Sequence, residues 1–261
     1  MAVPDRLDVT LRLVRNADRV SLVDLATRLG VSEMTVRRDL DVLQRRGLVE
    51  RIRGGAVAVT RPETEGGFTA RRDWQGATKD RIARTAAALV EPGSTVLLDA
   101  GTTTVHVARH LVDRGPLTVA VLSLPVAAQL ADQPGIRLIV VGGESRPGEQ
   151  SLAGPLAAET LRRLSFDVFL MSIGAVSADA GWSEFTLEDA AVKQVGLERA
   201  RTTTVVADAS KLGVRAFASV APIDSVDRLV TDTGARDPQL SPAAQESITA
   251  LTEADVEVVC A

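Results

Sequence analysis

The stretch that decides the fold of the amino-terminal part is SEMTVRRDLDVLQRRG, residues 32–47 of a 261-residue chain. At about 100° per residue, one face of a helix over this stretch collects apolar side chains, namely Val36, Leu40 and Leu43. Arg38 and Arg45 point nearly opposite. Ser32 is placed to cap the helix and Gly47 to end it. The pattern predicts an amphipathic helix whose outward face carries arginine.

The flanking sequence predicts two more helices and a hairpin. Helical spacing of apolar residues marks the two preceding helices, the first by Leu7, Leu11 and Val14 and the second by Leu22, Leu25, Ala26 and Leu29. After the third helix, LVERIRGGAVAV contains two β-compatible runs around Gly54-Gly55, a pair that suits a tight turn. Three helices followed by such a hairpin predict a winged helix-turn-helix over residues 1–59.

The outward face of the third helix predicts DNA binding, because the major groove admits a helix whose first turn lies nearest the base edges. The guanidinium group binds guanine or phosphate in bidentate fashion. We therefore expect these side chains to contact DNA: Ser32, Thr35, Arg37, Arg38 and Arg45 from the helix, and Arg51 and Arg53 from the wing. The competing interpretation is that the arginines only solvate the helix. Residues 1–60 carry a net charge of +3 in a chain of net charge −4, which favours DNA.

A polar stretch, residues 60–78, is broken by Pro62 and Gly66-Gly67 and is typical of a linker. Beyond it, strand-like runs alternate with helical segments: STVLLDA, LTVAVLS, IRLIVVGG, FDVFLMSIGA, TTTVVADAS and DRLVTD. Such alternation predicts a parallel α/β sheet over residues 79–261. The expected fold class is therefore a multidomain α/β chain.

The first of these strands ends in a sequence suited to phosphate. Asp99 ends the strand, and Gly101 and three threonines then lead into a helix, so that hydroxyls and helix-start amides converge. Three further strand ends belong to the same edge, where ligands of parallel sheets collect. The expected ligand residues are Asp99, Gly101, Thr102, Thr103, Thr104, Gly143 of VVGGE, Gly174 of SIGAV, and Asp208 and Lys211 of VVADASK. The alternative is that these residues only cap βα turns.

The segment VSEMTVRRDLDVLQRRGLVERIRGGA resembles the amino-terminal pattern of the DeoR family of sugar-metabolism repressors. Residues 79–232 resemble the effector domain of that family through KDRIA, LLDAGTTT, VVGGE, the Gly154 region, Lys193 and DASK. The resemblance implies a Rossmann-like fold related to ribose-phosphate isomerases and glucosamine-phosphate deaminases. It also implies a phosphorylated sugar-type effector, with Gly101 to Thr104 lining its phosphate end and Lys193 among the effector residues.

One segment departs from the family. Leu122-Ser123-Leu124-Pro125 stands where the family commonly has a Thr-Asn-Ser type sequence, which removes an amide side chain. Two alternatives to a sensing repressor stay open. One is a sugar-phosphate isomerase-like enzyme, for which Asp179, Glu184 and Glu188 are the available carboxylates. The other is a constitutive DNA-binding protein whose second domain only assembles the oligomer.

The sequence favours no metal, no cofactor and no catalytic residue. His106 and His110 have the spacing of zinc-protease ligands, but Val107 stands where that motif needs glutamate. We expect surface or capping histidines. The single cysteine, Cys260, is expected in a final strand.

The chain has no apolar run of roughly 18 residues and no secretory signal at its amino terminus, which predicts a cytoplasmic protein without membrane contact. The expected partners are a double-stranded DNA operator, a phosphorylated sugar-type effector and further copies of the chain. At least a dimer is expected, because symmetric proteins bind repeated half-sites. Its expected function is repression of a carbohydrate-metabolism operon, relieved by the effector.

Overall fold

A computed structural model describes residues 3–15, 17, 19–45, 49–58, 67–72 and 74–261. The chain divides into two compact units, Met1–Gln75 and Gly76–Ala261. Each has its own cluster of buried apolar side chains. Within the described ranges, no helix is both long enough and apolar enough to cross a membrane.

The amino-terminal unit confirms the predicted winged helix-turn-helix. Its elements are α1 (Val3–Arg15), β1 (Val20–Ser21), α2 (Leu22–Leu29), α3 (Glu33–Arg45), β2 (Val49–Ile52), β3 (Gly55–Ala58) and α4 (Gly67–Arg72). Ser32 caps α3 as expected, because its Oγ accepts a hydrogen bond from the backbone N–H of Thr35 at 3.2 Å. Gly47, the predicted helix terminator, lies outside the described residues.

The turn of the wing lies one residue earlier than the sequence predicts. Arg53 and Gly54 form it, and Gly55 instead begins β3 and is paired with Ser21 of β1. A side chain at position 55 would meet the carbonyl oxygen of Val20 at 2.0 Å. The strand β1 therefore approaches position 55 so closely that glycine is required there. The hairpin pattern alone does not reveal this third strand.

A buried ion pair joins the first and third helices. Asp39, only 3% exposed, accepts hydrogen bonds from Nε and Nη2 of Arg6 at 2.6 and 3.0 Å. Asp39 lies beside the buried Leu40 and Leu43, so α3 turns a charged group inward and a partner on α1 must neutralise it. This bidentate pair fixes α3 against α1.

The carboxyl-terminal unit is built on a parallel sheet of seven strands, which confirms the predicted α/β class. In chain order its elements are α5 (Gly76–Ala88), β4 (Thr95–Leu98), α6 (Thr102–Leu111), β5 (Leu117–Val121), α7 (Leu124–Leu130), β6 (Ile136–Val140), β7 (Glu144–Ser145), β8 (Leu152–Ala153), α8 (Pro155–Arg162), β9 (Phe166–Met171), β10 (Ala175–Ser177), β11 (Gly181–Glu184), α9 (Leu187–Arg199), β12 (Ala200–Val206), β13 (Ala218–Ala221), β14 (Arg228–Thr231), α10 (Pro242–Glu253) and β15 (Glu257–Cys260). Cys260 lies in the final strand, as expected.

The path of the chain through this sheet defines where a ligand can bind. The strand order is β15-β14-β12-β9-β4-β5-β6, and all six neighbouring pairs are parallel. The chain starts at β4, moves outward through β5 and β6, and then returns to β9 on the other side of β4. The reversal falls between β4 and β9, and the crevice outside the carboxyl ends of two such strands is the usual ligand site of open α/β sheets.

Several short elements were not predicted from the sequence. Strands β10, β11 and β13 form a separate antiparallel sheet, and β7 pairs with β8 in a hairpin. The stretch expected to be a linker contains α4 and the beginning of α5.

The Arg6–Asp39 pair gives a test of the amino-terminal packing. Asp39→Ala should lower the free energy of unfolding of this unit by about 2–3 kcal/mol, because it leaves the guanidinium of Arg6 without its partner in a mostly buried position. Amide hydrogen exchange in α3 of the full chain would report this loss. Gln44→Ala, an exposed position on the same helix, is the control and should change exchange little.

Candidate functional site

The recognition helix α3 presents a stripe of side chains opposite its buried face. Met34, Arg38 and Asp41 lie within about 60° of one another around the helix axis, and the buried Val36, Leu40 and Leu43 lie on the other side. Arg38 is exposed, and within the described residues no ion pair involves it. The side chain of Arg45, which the same geometry assigns to the stripe, lies outside the described residues.

Other predicted DNA contacts on α3 are engaged within the helix. The hydroxyls of Ser32 and Thr35 lie 3.0 Å apart and share a hydrogen bond. Arg37 forms an exposed ion pair with Glu33 at 3.8 Å, a type of pair that contributes little. Arg37 therefore remains available to phosphate, since an exposed pair of this length opens at small cost.

On the wing, Arg51 and Arg53 have different surroundings. Arg51 forms an ion pair with Asp41 of α3, which neutralises the one carboxylate of the outward stripe. Arg53 is exposed in the turn, and its carbonyl oxygen accepts a hydrogen bond from Nη2 of Arg19 at 3.0 Å. Arg51 thus links the wing to α3, whereas the side chain of Arg53 stays on the surface. Contact of either residue with DNA stays a prediction.

In the carboxyl-terminal unit, the crevice between β4 and β9 contains a buried charge cluster. Lys193 of α9 forms ion pairs with Asp99, at the end of β4, and with Oε1 of Glu184, at the end of β11, the latter at 3.3 Å. The exposed fractions of Lys193, Asp99 and Glu184 are 3%, 1% and 8%. A single buried cation therefore serves two carboxylates from different elements.

Nearly all polar atoms of this cluster have hydrogen-bond partners. Ser172, which follows β9, donates its backbone N–H to Asp99 Oδ2 at 3.0 Å, and its hydroxyl donates to the carbonyl oxygen of Ala100 at 2.5 Å. The backbone N–H of Ala100 donates to Oδ1 at 2.7 Å. Gly174 donates its N–H to Glu184 at 3.0 Å. Ser172 and Glu184 belong to the site although they are absent from the ligand residues predicted by sequence. Ser172 follows a strand without a motif, and Glu184 looks like a loop charge.

The protonation preferences of the cluster follow from its burial and charges. Burial acts to lower the pKa of Lys193, but the charges of Asp99 and Glu184 outweigh burial and raise the pKa above its usual value. Lys193 is therefore an ammonium ion. Burial raises the pKa of Glu184, although the ammonium group opposes this effect. Glu184 consequently accepts a proton more readily than an exposed glutamate does.

The amino terminus of α6 opens beside this cluster. Gly101 is its N-cap residue and supplies no side chain to the cap, and the first N–H groups of a helix have no partner within it. Thr102 and Thr103 are mostly buried, and Thr104 donates its hydroxyl back to the carbonyl of Gly101 at 2.9 Å. Free helix-start amides, the helix dipole and neighbouring hydroxyls suit an anionic group such as phosphate.

The sheet separates some of the predicted ligand residues from others. Gly143 follows β6 and Asp208 follows β12, with three strands between them, so their strand ends are about 19 Å apart. A side chain at Gly143 would meet the carbonyl oxygen of Ala153 at 2.5 Å, which explains this glycine by close packing of β8. Asp208 accepts a hydrogen bond from the N–H of Ser210 and caps the short 3₁₀ helix that contains Lys211. Asp99, Gly101, the threonines, Gly174 and Lys193 do come together.

A hairpin and a helix meet at the rim of the crevice. Arg146, in the loop of the β7–β8 hairpin, forms an ion pair with Asp189, and Ser151 donates to the same carboxylate at 3.4 Å. Thr186 caps α9 and also donates to Asp189, at 3.2 Å. Asp189 precedes Lys193 by one helical turn, so the hairpin is attached next to the charge cluster.

The two histidines connect α6 to α5. Nε2 of His110 lies 2.9 Å from Oδ1 of Asp80, and Arg84 contacts the same carboxylate at 3.0 Å. The bond to His110 is the main cause that lowers the pKa of Asp80. His106 is only 8% exposed, so the expectation of two surface or capping histidines is wrong for this residue, and burial lowers its pKa.

Among the described residues, no group of three His, Cys, Asp or Glu side chains is arranged to bind a metal ion.

Comparison with protein families identifies both units. Residues 6–62 match the model of the DeoR-like helix-turn-helix domain, and residues 74–233 match that of the DeoR C terminal sensor domain.

Individual proteins agree with the family matches. The chain is 34% identical over 233 residues to the "Transcriptional repressor AccR" of Agrobacterium fabrum, covering 89% of this chain and 90% of the relative. It is 33% identical over 222 residues to the "HTH-type transcriptional regulator GlpR" of Haloferax volcanii, covering 85% and 87%. Among solved structures, ribose 5-phosphate isomerase A of Methanocaldococcus jannaschii aligns with 51% of this chain and 53% of its own at 19% identity, with a TM-score of 0.38.

The charge cluster provides a test of its structural role. Lys193→Met should lower the free energy of unfolding of the carboxyl-terminal unit by about 3–5 kcal/mol, because two carboxylates are then buried without a cation. Urea unfolding monitored in the full chain would measure this effect. Glu184→Gln is the matched comparison and should cost about 1 kcal/mol or less, since the amide oxygen still accepts from Gly174 and one carboxylate remains for Lys193. Equal losses in both variants would contradict this assignment.

The contact between the hairpin and α9 gives a second test. Arg146→Ala should raise amide hydrogen exchange in residues 144–153 about tenfold, because it removes a charge-assisted bond that holds the hairpin. Exchange in β4 and β9 should not change and serves as the internal control. The exposed Arg201→Ala, whose ion pair with Asp167 is 3.9 Å long, is the control variant.

Proposed function

Because this chain belongs to the DeoR family of DNA-binding transcriptional regulators, we propose that it represses a carbohydrate-metabolism operon and that a phosphorylated sugar or related intermediate relieves the repression. Its relatives are named as regulators and repressors, so the chain is a regulator and not an enzyme. The alternative of a sugar-phosphate isomerase-like activity is thereby set aside.

The observation that carries the ligand proposal is the uncapped amino terminus of α6 beside the buried cluster of Asp99, Lys193 and Glu184. The phosphate of the effector binds the amides and hydroxyls of residues 101–104. Because Lys193 already neutralises two carboxylates, its role is to hold Asp99 in position at the rim of this loop. Ser172, which is partly exposed and donates its backbone N–H to Asp99, then faces the sugar hydroxyls.

On the DNA side, Arg38 is the leading base contact, with Arg37 and Arg53 on phosphate. The amino-terminal surplus of positive charge supports this assignment. At least two copies act together, because a dimer offers two recognition helices to repeated half-sites. The effector must prefer the conformation that binds DNA poorly, since a ligand with equal affinity for both conformations shifts nothing.

A ligand panel tests the sensing proposal. At 100 times its dissociation constant, a phosphorylated sugar should raise the stability of the full chain by about 2.7 kcal/mol, measured as a thermal shift. The unphosphorylated sugar should give no shift. Thr103→Val removes one hydroxyl without changing the size of the side chain, and it should reduce the shift while the ligand-free melting temperature stays nearly unchanged.

The same panel separates sensing from assembly. A phosphorylated sugar that stabilises the wild-type chain should also release it from its operator in a footprinting experiment. If no sugar phosphate of the panel shifts the melting temperature and the operator footprint persists in all of them, the second unit serves only for assembly.

A further inference from the structure

We propose that Met34 reads the C5-methyl group of a thymine in the operator and is a specificity-determining residue of this regulator. The inference rests on operator recognition by α3, which is part of the proposed function. Met34 is not among the DNA contacts that the sequence predicts, which are all polar or basic side chains.

Met34 lies exposed in the first turn of α3. It is the second residue of α3, and 56% of it is exposed. Arg38 follows one turn later on the same side of the helix. The buried Val36 and Leu43 lie on the opposite side. The amino-terminal turn of a recognition helix is the part that approaches the base edges most closely. Met34 is therefore the foremost apolar group of this turn.

The neighbours of Met34 leave this position to an apolar contact. The hydroxyls of Ser32 and Thr35, which flank it in the first turn, bond to each other. Polar readout from the first turn is thus limited, and Arg38 provides the guanidinium group for a guanine. Met34 offers an exposed thioether side chain next to the guanidinium of Arg38. The one apolar group that the major groove presents to such a side chain is the methyl group of thymine.

The outward stripe of α3 suits a nucleic acid better than a protein. Asp41, the acidic residue of the stripe, is neutralised by Arg51 from the wing, so no free carboxylate of the described stripe opposes phosphate. Among the described residues of this unit, Val23 of α2 is the other large apolar side chain of high exposure, at 59%. Val23 belongs to the helix that precedes the recognition helix, and in this fold that helix crosses the DNA backbone. It is the matched control for exposed apolar surface.

The experiment uses thymine-to-uracil replacement, which removes only the C5-methyl group. The full-length chain first selects its preferred duplex from a random pool. Each thymine of the selected half-site is then replaced by deoxyuridine, and the dissociation constant is measured. Burial of one methyl group corresponds to about fourfold in affinity. For the wild-type chain we expect a loss of about fourfold at one thymine next to the position contacted by Arg38.

The variants then assign this loss to a residue. In Met34→Ala the loss at that thymine should fall below about twofold, whereas Met34→Leu and Val23→Ala should keep it near fourfold. Arg38→Ala should weaken binding to every duplex of the set but leave the methyl dependence in place. Equal methyl dependence in Met34→Ala and in the wild type would overturn the inference, and so would a wild-type chain that ignores every replacement. If the selection enriches no sequence, operator recognition itself fails and the inference falls with it.

Discussion

The carboxyl-terminal unit depends on one buried cation. Lys193 lies between Asp99 and Glu184, and through them it fastens α9 to the end of β4 and to the small antiparallel sheet. Taking such charges out of water is costly, and the cost is met only when each charge has its partners. Asp99 accepts hydrogen bonds from Lys193 and from the backbone N–H groups of Ala100 and Ser172, so its position is fixed at the point where the sheet reverses direction.

This arrangement also determines which groups offer positive potential to an anionic ligand. The ammonium of Lys193 is already shared by two carboxylates and is almost inaccessible. On the proposed function, an incoming phosphate therefore meets the amide groups of the α6 amino terminus, which carry a partial positive charge without a competing counterion. The helix-start amides of α6 are therefore available to a ligand, whereas the charges of Asp99, Lys193 and Glu184 are paired with one another. The paired charges hold the loop before α6 in position.

The sequence predicts the elements that have strong periodicity. It misses those that are stabilised mainly by tertiary contacts. The three amino-terminal helices and the strands of the parallel sheet have long apolar patterns, so α1 to α3 and β4, β5, β6, β9, β12 and β14 were recognised. The strands β10, β11 and β13 are short and stabilised by pairing with one another, and no local signal distinguishes them from loops. At the site, Asp99 and the threonines follow a strand directly. Glu184 and Ser172 join them only because the sheet reverses between β4 and β9.

Charge counting has a similar limit in the amino-terminal unit. Arg6 and Arg51 contribute to the positive surplus of residues 1–60, yet Arg6 neutralises the buried Asp39 and Arg51 neutralises Asp41. Their charges stabilise the position of α3 and remove repulsion from its outer face. Arg38 remains as the guanidinium on that face without an ion pair among the described residues. A net charge therefore indicates DNA as a partner, whereas the ion pairs show which arginine is left available to contact it on the proposed function.

For a ligand to change operator affinity, its site must be connected mechanically to the start of the carboxyl-terminal unit. Helix α6 spans about 15 Å from the proposed phosphate loop to its last turn, where His110 bonds to Asp80 of α5. Helix α5 begins at Gly76, the residue at which the carboxyl-terminal unit starts. The bond from His110 lowers the pKa of Asp80, so this carboxylate stays charged at neutral pH. Because packed helices shift as rigid bodies rather than deform, a ligand that displaced α6 would carry α5 with it. On the proposed function, α5 is therefore the element that first transmits ligand binding toward the DNA-binding unit.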